Sequence, residues 1–282
     1  MIAYHGQQAI KDKYLARVRA HREADELVQG FGYWKDGKGC AVGCTMHSDS
    51  HNAYETELGI PKVLARLEDS IFEGLSVKLA RQWPERFLAA ITPGANLSLV
   101  SSHFFIWLLG DPADGVIRHA KTDKTRDAIQ RVVDLYRRHA NGEKIAVANW
   151  QAAAAADDAD AYASADAADA AAAAAYAAYA SADAAAADAD AAASAAADAA
   201  AYADADAAAY AAAAYADAAY ADAAYAYAAN AYAANAYAGD AADAADAARH
   251  GSRSKQADKL IELLAAAPMA ALRSDRCDDF CG

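Results

Sequence analysis

The residues with the greatest capacity for chemistry are Cys40, Cys44, His47 and His51, four side chains of metal-ligating type within twelve residues. Thiolate sulfur and imidazole nitrogen are the donors zinc prefers, so Cys40-x3-Cys44-x2-His47-x3-His51 is a candidate zinc site. On a straight helix the four positions share a stripe whose ends stand about 16 Å apart at about 1.5 Å per residue. A tetrahedral zinc ion holds every donor within about 2.3 Å, so one helix cannot deliver all four. Either the chain bends after Cys44, or only a pair such as His47 and His51 ligates, with Glu55 one turn further on. A second Cys-x3-Cys pair, Cys277 and Cys281, would complete a four-cysteine site if the tail folds back. The competing reading is two buried thiols and two histidines facing a core or cleft.

Other constellations carry less. The stretch from Gly32 to Lys38 has the GxxxxGK skeleton of a phosphate-binding loop. Gly39 stands where a magnesium-holding Ser or Thr is required, and no buried strand precedes it, which excludes nucleotide hydrolysis by this route. Tyr54, Glu55, Thr56 and Glu57, with Glu68, Asp69 and Glu73, place carboxylates near the histidines, as acid–base chemistry would need. Solvated helix faces produce the same pattern, and that is the expectation here. His103 lies in the most apolar stretch, Leu97 to Leu109, and is expected to be a satisfied core histidine.

These residues must be positioned by helices. Ile10, Tyr14, Val18, His21, Ala24 and Val28 follow helical spacing up to Gly30. Four glycines between Gly30 and Gly39, with the turn pair Asp36-Gly37, predict a structured loop or small hairpin. Cys40 to Leu58 reads as helix, stopped by Gly59-Ile60-Pro61. Leu64, Leu67, Ile71 and Leu75 line the next face, and helices follow around Val77 to Trp83, Pro84 to Ile91, Leu97 to Leu109 and Thr122 to His139. Thr122 or Asp123 caps the last, and Asn141-Gly142 closes it.

Beyond Gly142 the composition changes. Residues 145–248 hold 16 Asp and no Lys or Arg, a charge of −16, so the acidity behind the whole-chain net of −13 lies in this segment. Alanine has the highest helix propensity, and neither proline nor glycine occurs between Glu143 and Ala238, so helix is expected. Asp, Ser and Asn cluster at Asp157–Asp160, Ser181–Asp183, Asp188–Asp190, Asp204–Asp206, Asn230–Asn235 and Gly239–Asp240. Such residues favour caps and turns, which predicts packed hairpins and not one rod. Tyr210, Tyr215, Tyr220 and Tyr225 recur every five residues, a period that spreads them around a helix. Ala257, Leu260, Ile261 and Leu264 form an amphipathic closing helix stopped before Pro268 and expected to cap the array.

The segment AYAAAAYADAAYADAAYAYAANAYAANAYA with RSKQADKLIELLAAAP resembles the alanine-rich helical domain of immunity proteins found in bacterial toxin–immunity loci and phages, over about residues 146–267. GKGCAVGCTMHSDSHNAYETELGIPKVLARLEDSIFEGL is similar to segments of uncharacterised phage proteins. The resemblance implies a phage or bacterial accessory protein that binds something, and implies no reaction.

The fold expected is all-α: a compact helical domain over 1–144 with a small Gly-rich loop or hairpin, an array of alanine-rich helical hairpins with a capping helix over 145–267, and a tail, 268–282. A carboxylate-rich surface repels nucleic acid and membrane phosphates and favours cationic partners. The leading functional expectation is a non-enzymatic immunity or inhibitor factor that meets a basic protein through Asp204, Asp206, Asp217 and Asp222. The alternative is a metal-dependent enzyme that uses zinc at Cys40, Cys44, His47 and His51. The opening MIAYHGQQAIKDK lacks the apolar core of an export signal, and the longest apolar stretch is too short to span a bilayer, so a cytoplasmic location is expected.

Overall fold

In the computed structural model, residues 1–48, 50–120, 122–146, 148–150, 152–153 and 230–271 are described, with side chains in the last stretch from Asp246 onward. Helix dominates, with one small antiparallel hairpin. A short 3-10 segment, Ala3–Gly6, precedes α1, Gln8–Glu23. The hairpin strands are β1, Trp34–Lys35, and β2, Lys38–Gly39. Then follow α2, Ala41–Met46; α3, Asn52–Leu58; α4, Lys62–Gly74; α5, Val77–Ala80; α6, Trp83–Ala90; and α7, Val100–Gly110. A 3-10 turn, Val116–His119, leads to α8, Asp123–Ala140, and the last described helix is α9, Asn230–Ala265.

The core is built from the apolar faces of these helices. Trp83, Phe87, Leu64, Ile71, Phe104 and Leu109 are essentially inaccessible to solvent. Thr122 caps α8 by accepting a hydrogen bond from the backbone N–H of Thr125, and Phe105 of α7 stacks on Tyr136 of α8 at 5.2 Å. Trp150 extends that layer, 4.8 Å from Tyr136.

α9 closes the molecule. It packs on α4, α6 and α7, and burial of Leu260 and Leu264 makes it part of the front-half core. Buried Arg253 lies across Gly74 and donates to the Ser70 hydroxyl and to Gln256. Beyond the helix, Asn96 donates to the Pro268 carbonyl and Ala270 to the Gly94 carbonyl, while Ala3 donates to Ala95. The loop at Gly94–Asn96 is thus tied to both the N-terminal and the C-terminal described segments.

Several sequence expectations change here. α1 ends at Glu23, well before Gly30, because Asp25 turns the chain with a left-handed backbone (φ 55°) and sends Leu27 into the core. Cys40 to Leu58 is not one helix: His47 adopts φ 54°, ψ 37° and separates α2 from α3. Asn235 and Gly239–Asp240, expected at caps, lie inside α9, whose described part begins at Asn230. A glycine in a helix costs only about 1 kcal/mol relative to alanine, too little to break one flanked by the best helix formers. The rest of the predicted array, residues 154–229, lies outside the described residues, as do Asp204, Asp206, Asp217 and Asp222. Among the described residues no helix is long and apolar enough to cross a membrane.

Candidate functional site

The hairpin and α2 are pressed together by two glycines. A Cβ on Gly43 would sit 1.3 Å from the Tyr33 carbonyl oxygen, and one on Gly39 2.0 Å from the same atom. The turn residues Asp36 (φ 51°) and Gly37 (φ 81°) both use left-handed backbone, the requirement of a tight two-residue hairpin turn. Four further hydrogen bonds fix the loop from the side of α4 and the residue that follows it. Gln29 Nε2 donates to the Phe72 and Leu75 carbonyls, Gly30 N–H donates to Glu73, and Arg66 donates to the Tyr33 hydroxyl at 3.0 Å. Trp34 is thereby held over the C-terminal end of α2.

There it meets His47. The indole and imidazole rings stack at 4.4 Å with 17° between their planes. His21, near the end of α1, stands edge-on to both rings, 5.3 Å from Trp34 and 5.0 Å from His47. His21 Nε2 lies 2.7 Å from His47 Nε2, and His21 Nδ1 lies 2.6 Å from Glu26 Oε2. Glu26 is placed by the backbone: Gly39 N–H donates to its carbonyl, and Val28 N–H donates to Gly39. The result is a chain of three groups, Glu26–His21–His47, whose inner imidazole is buried and whose outer one is exposed.

The geometry constrains the protons. A carboxylate beside Nδ1 makes that nitrogen of His21 the donor. With both imidazoles neutral, His21 Nε2 accepts from His47 Nε2–H, and the lone pair of His47 Nδ1 is left free. Partial burial, the Arg17 guanidinium and His21 together hold His47 below the ordinary histidine value, opposed by Glu26. His47 is therefore a free base near neutral pH. Arg17 stands one turn before His21 on α1 and is fixed by donation to the Thr45 carbonyl at 2.8 Å, with its guanidinium over the Tyr14 ring.

The remaining predicted ligands are divided between other environments. Cys40 is buried at the start of α2, where its sulfur accepts from Gly43 N–H; burial and then Asp69 push its thiol far up. Cys44 donates to the Gly39 and Glu26 carbonyls, and burial, then the Glu26 charge, push it up to about 12. His51 is buried, with Nε2 3.7 Å from Asp69 Oδ2 and its ring edge-on to Tyr33 at 5.0 Å. Among the described residues no three His, Cys, Asp or Glu side chains stand where they could hold a metal ion. His47 meets His21 of α1, whereas His51 faces Asp69 of α4. Cys277 and Cys281 lie outside the described residues.

Two other readings are corrected. Glu68, expected on a solvated face, is wholly buried, accepts from the Tyr54 hydroxyl at 2.6 Å, and is pushed well above its ordinary value by burial. His103, expected in the core, is exposed and lines a cavity of about 320 Å³ with Leu263 and Pro268. The helix around it is buried through Phe104, Phe105, Leu108 and Leu109 instead.

Sequence reasoning placed His47 among the candidates but assigned no role to His21, Glu26, Trp34 or Arg17. Only the Gly39-x3-Gly43 spacing signals that another chain segment lies against α2. The chain matches no known family, no curated protein and no solved structure.

Proposed function

We propose that the front half carries an acid–base catalytic centre in which His47 is the base that meets the substrate. The supporting observation is the hydrogen-bonded chain from Glu26 through buried His21 to exposed His47. When His47 Nδ1 takes a proton, its Nε2–H passes toward His21, and the Glu26 carboxylate stabilises the imidazolium that forms. A carboxylate that orients a histidine acts in the same way in hydrolytic triads. Stacking on Trp34 fixes the plane of the outer ring, so its free nitrogen is presented in one orientation.

The chemistry best suited to this arrangement is hydrolysis. His47 Nδ1 removes a proton from water, the hydroxide adds to an activated acyl or phosphoryl centre, and the leaving group recovers the proton. Base catalysis of this kind contributes about 10²- to 10⁴-fold. Hydrolysis of p-nitrophenyl acetate and p-nitrophenyl phosphate by the full chain tests the proposal. The intact protein should turn over one of them, His47→Ala should abolish the gain, and His21→Asn should remove most of it. Equal rates for the intact protein and His47→Ala would overturn it.

A further inference from the structure

Arg17 is held in an unusual way for a guanidinium beside a catalytic base. One of its terminal nitrogens donates to the Thr45 carbonyl, two residues before His47, and its face lies 4.9 Å from the centre of the Tyr14 ring. Lys13 Nζ lies 4.7 Å from the centre of the same ring. No carboxylate pairs with Arg17 or Lys13 among the described residues. Glu57 accepts from the Tyr14 hydroxyl, and Glu26 is engaged by His21. The other cations of α1 differ. Arg19 and Arg22 share Glu85, and Lys11 donates to the Ala89 and Ile91 carbonyls.

From this geometry we infer that Arg17 anchors an oxyanionic group of the substrate next to His47, with Lys13 at the edge of the same anion site. The inference rests on the reading of His47 as the working base and names the class of substrate it acts on. A guanidinium has five N–H donors in a rigid fork that matches the oxygens of phosphate and carboxylate. The Thr45 carbonyl occupies only one side of that fork, and clamping by this carbonyl and the Tyr14 ring lowers the entropy lost on binding. The position of the anion also suits the chemistry. A negative group bound here offsets the repulsion that Arg17 and His21 exert on a protonated His47, so the base becomes stronger once substrate is seated.

The groups that face His47 are Arg17 and His21 from α1, Glu26 from the following turn, and Trp34 from the hairpin. A histidine NMR titration of the full chain reads the effect of an anion on that set. It would be run in sodium chloride, in sodium phosphate and in sodium acetate at equal ionic strength. The His47 pKa should rise by about half a unit or more in phosphate relative to chloride, a direction expected for an opposite charge placed within about 4–6 Å. A matching rise in acetate would assign carboxylates to the site as well; phosphate alone would assign phosphate monoesters. Arg17→Gln should raise the His47 pKa in chloride by removing the guanidinium, and should abolish its response to anions. An unchanged His47 titration in both phosphate and acetate would overturn the proposal, and so would an equal anion response in Arg17→Gln. Neither result bears on the proton chain, because His21→Asn reports on that chain in chloride alone.

Discussion

Replacing Gly43 by alanine tests how the site is assembled. The added Cβ would lie 1.3 Å from the Tyr33 oxygen, 2.3 Å from its carbonyl carbon and 3.2 Å from the Trp34 nitrogen, whereas ordinary contact begins near 3.4 Å. All three obstacles are backbone atoms, so no side-chain rotation relieves them. The hairpin must retreat from α2 by about 2 Å, which destroys a ring stack of 4.4 Å between Trp34 and His47. Overpacking of this type costs about 1–3 kcal/mol. At about 2–4 °C per kcal/mol for a unit of 150–250 residues, Tm should fall by about 2–12 °C. The assay is thermal unfolding followed by circular dichroism, together with tryptophan fluorescence at a temperature where the variant is folded. Tm within 1 °C of the parent, with unchanged fluorescence, would refute the claim that close approach at Gly43 seats Trp34 on His47.

Glu68 provides a pH test. Its folded-state pKa is raised by burial, so the folded chain binds that proton more tightly than the unfolded one, for which about 4.3 is usual. The stabilisation is complete below the unfolded value and is lost as pH rises through the folded value. Glu68→Gln should therefore flatten the fall in Tm as pH rises above about 5; parallel profiles for the two proteins would contradict this. Leu260 is completely buried in α9, and Leu260→Ala should cost about 2–5 kcal/mol in urea unfolding of the whole chain. A loss under about 1 kcal/mol would mean that α9 does not complete the front-half core.

Where local chemistry decided the outcome, the sequence was readable. Asp36-Gly37 announced the hairpin turn, and Thr122 announced the start of α8. Glu68 was misread, although it follows Leu64 by four residues and precedes Ile71 by three, which puts it on the buried stripe of α4. Only its residue type argued for solvent, and the Tyr54 hydroxyl supplies the partner that makes burial possible. The candidate site was legible by halves. His47 lay in a conspicuous Cys/His run, which was read as helix, with a bend after Cys44 as one alternative, and as candidate metal ligands. The left-handed break at His47 is not encoded by any period in the sequence. His21 occupied an apolar helical position, and nothing local shows that Glu26 turns back to meet it. Asn235 and Gly239–Asp240 do not interrupt α9 for the opposite reason, because strong alanine propensity on both sides outweighs them.

The central claim is that one proton links His21 to His47 while His47 Nδ1 remains a free base. Nitrogen NMR of the full chain, labelled at its histidine rings, measures this directly through scalar coupling across the hydrogen bond. The account predicts coupling between His21 Nε2 and His47 Nε2, an unprotonated His47 Nδ1 at neutral pH, and loss of the coupling with a shifted His47 titration in His21→Asn. A protonated His47 Nδ1 with no coupling to His21, and a His47 titration unchanged in His21→Asn, would contradict it.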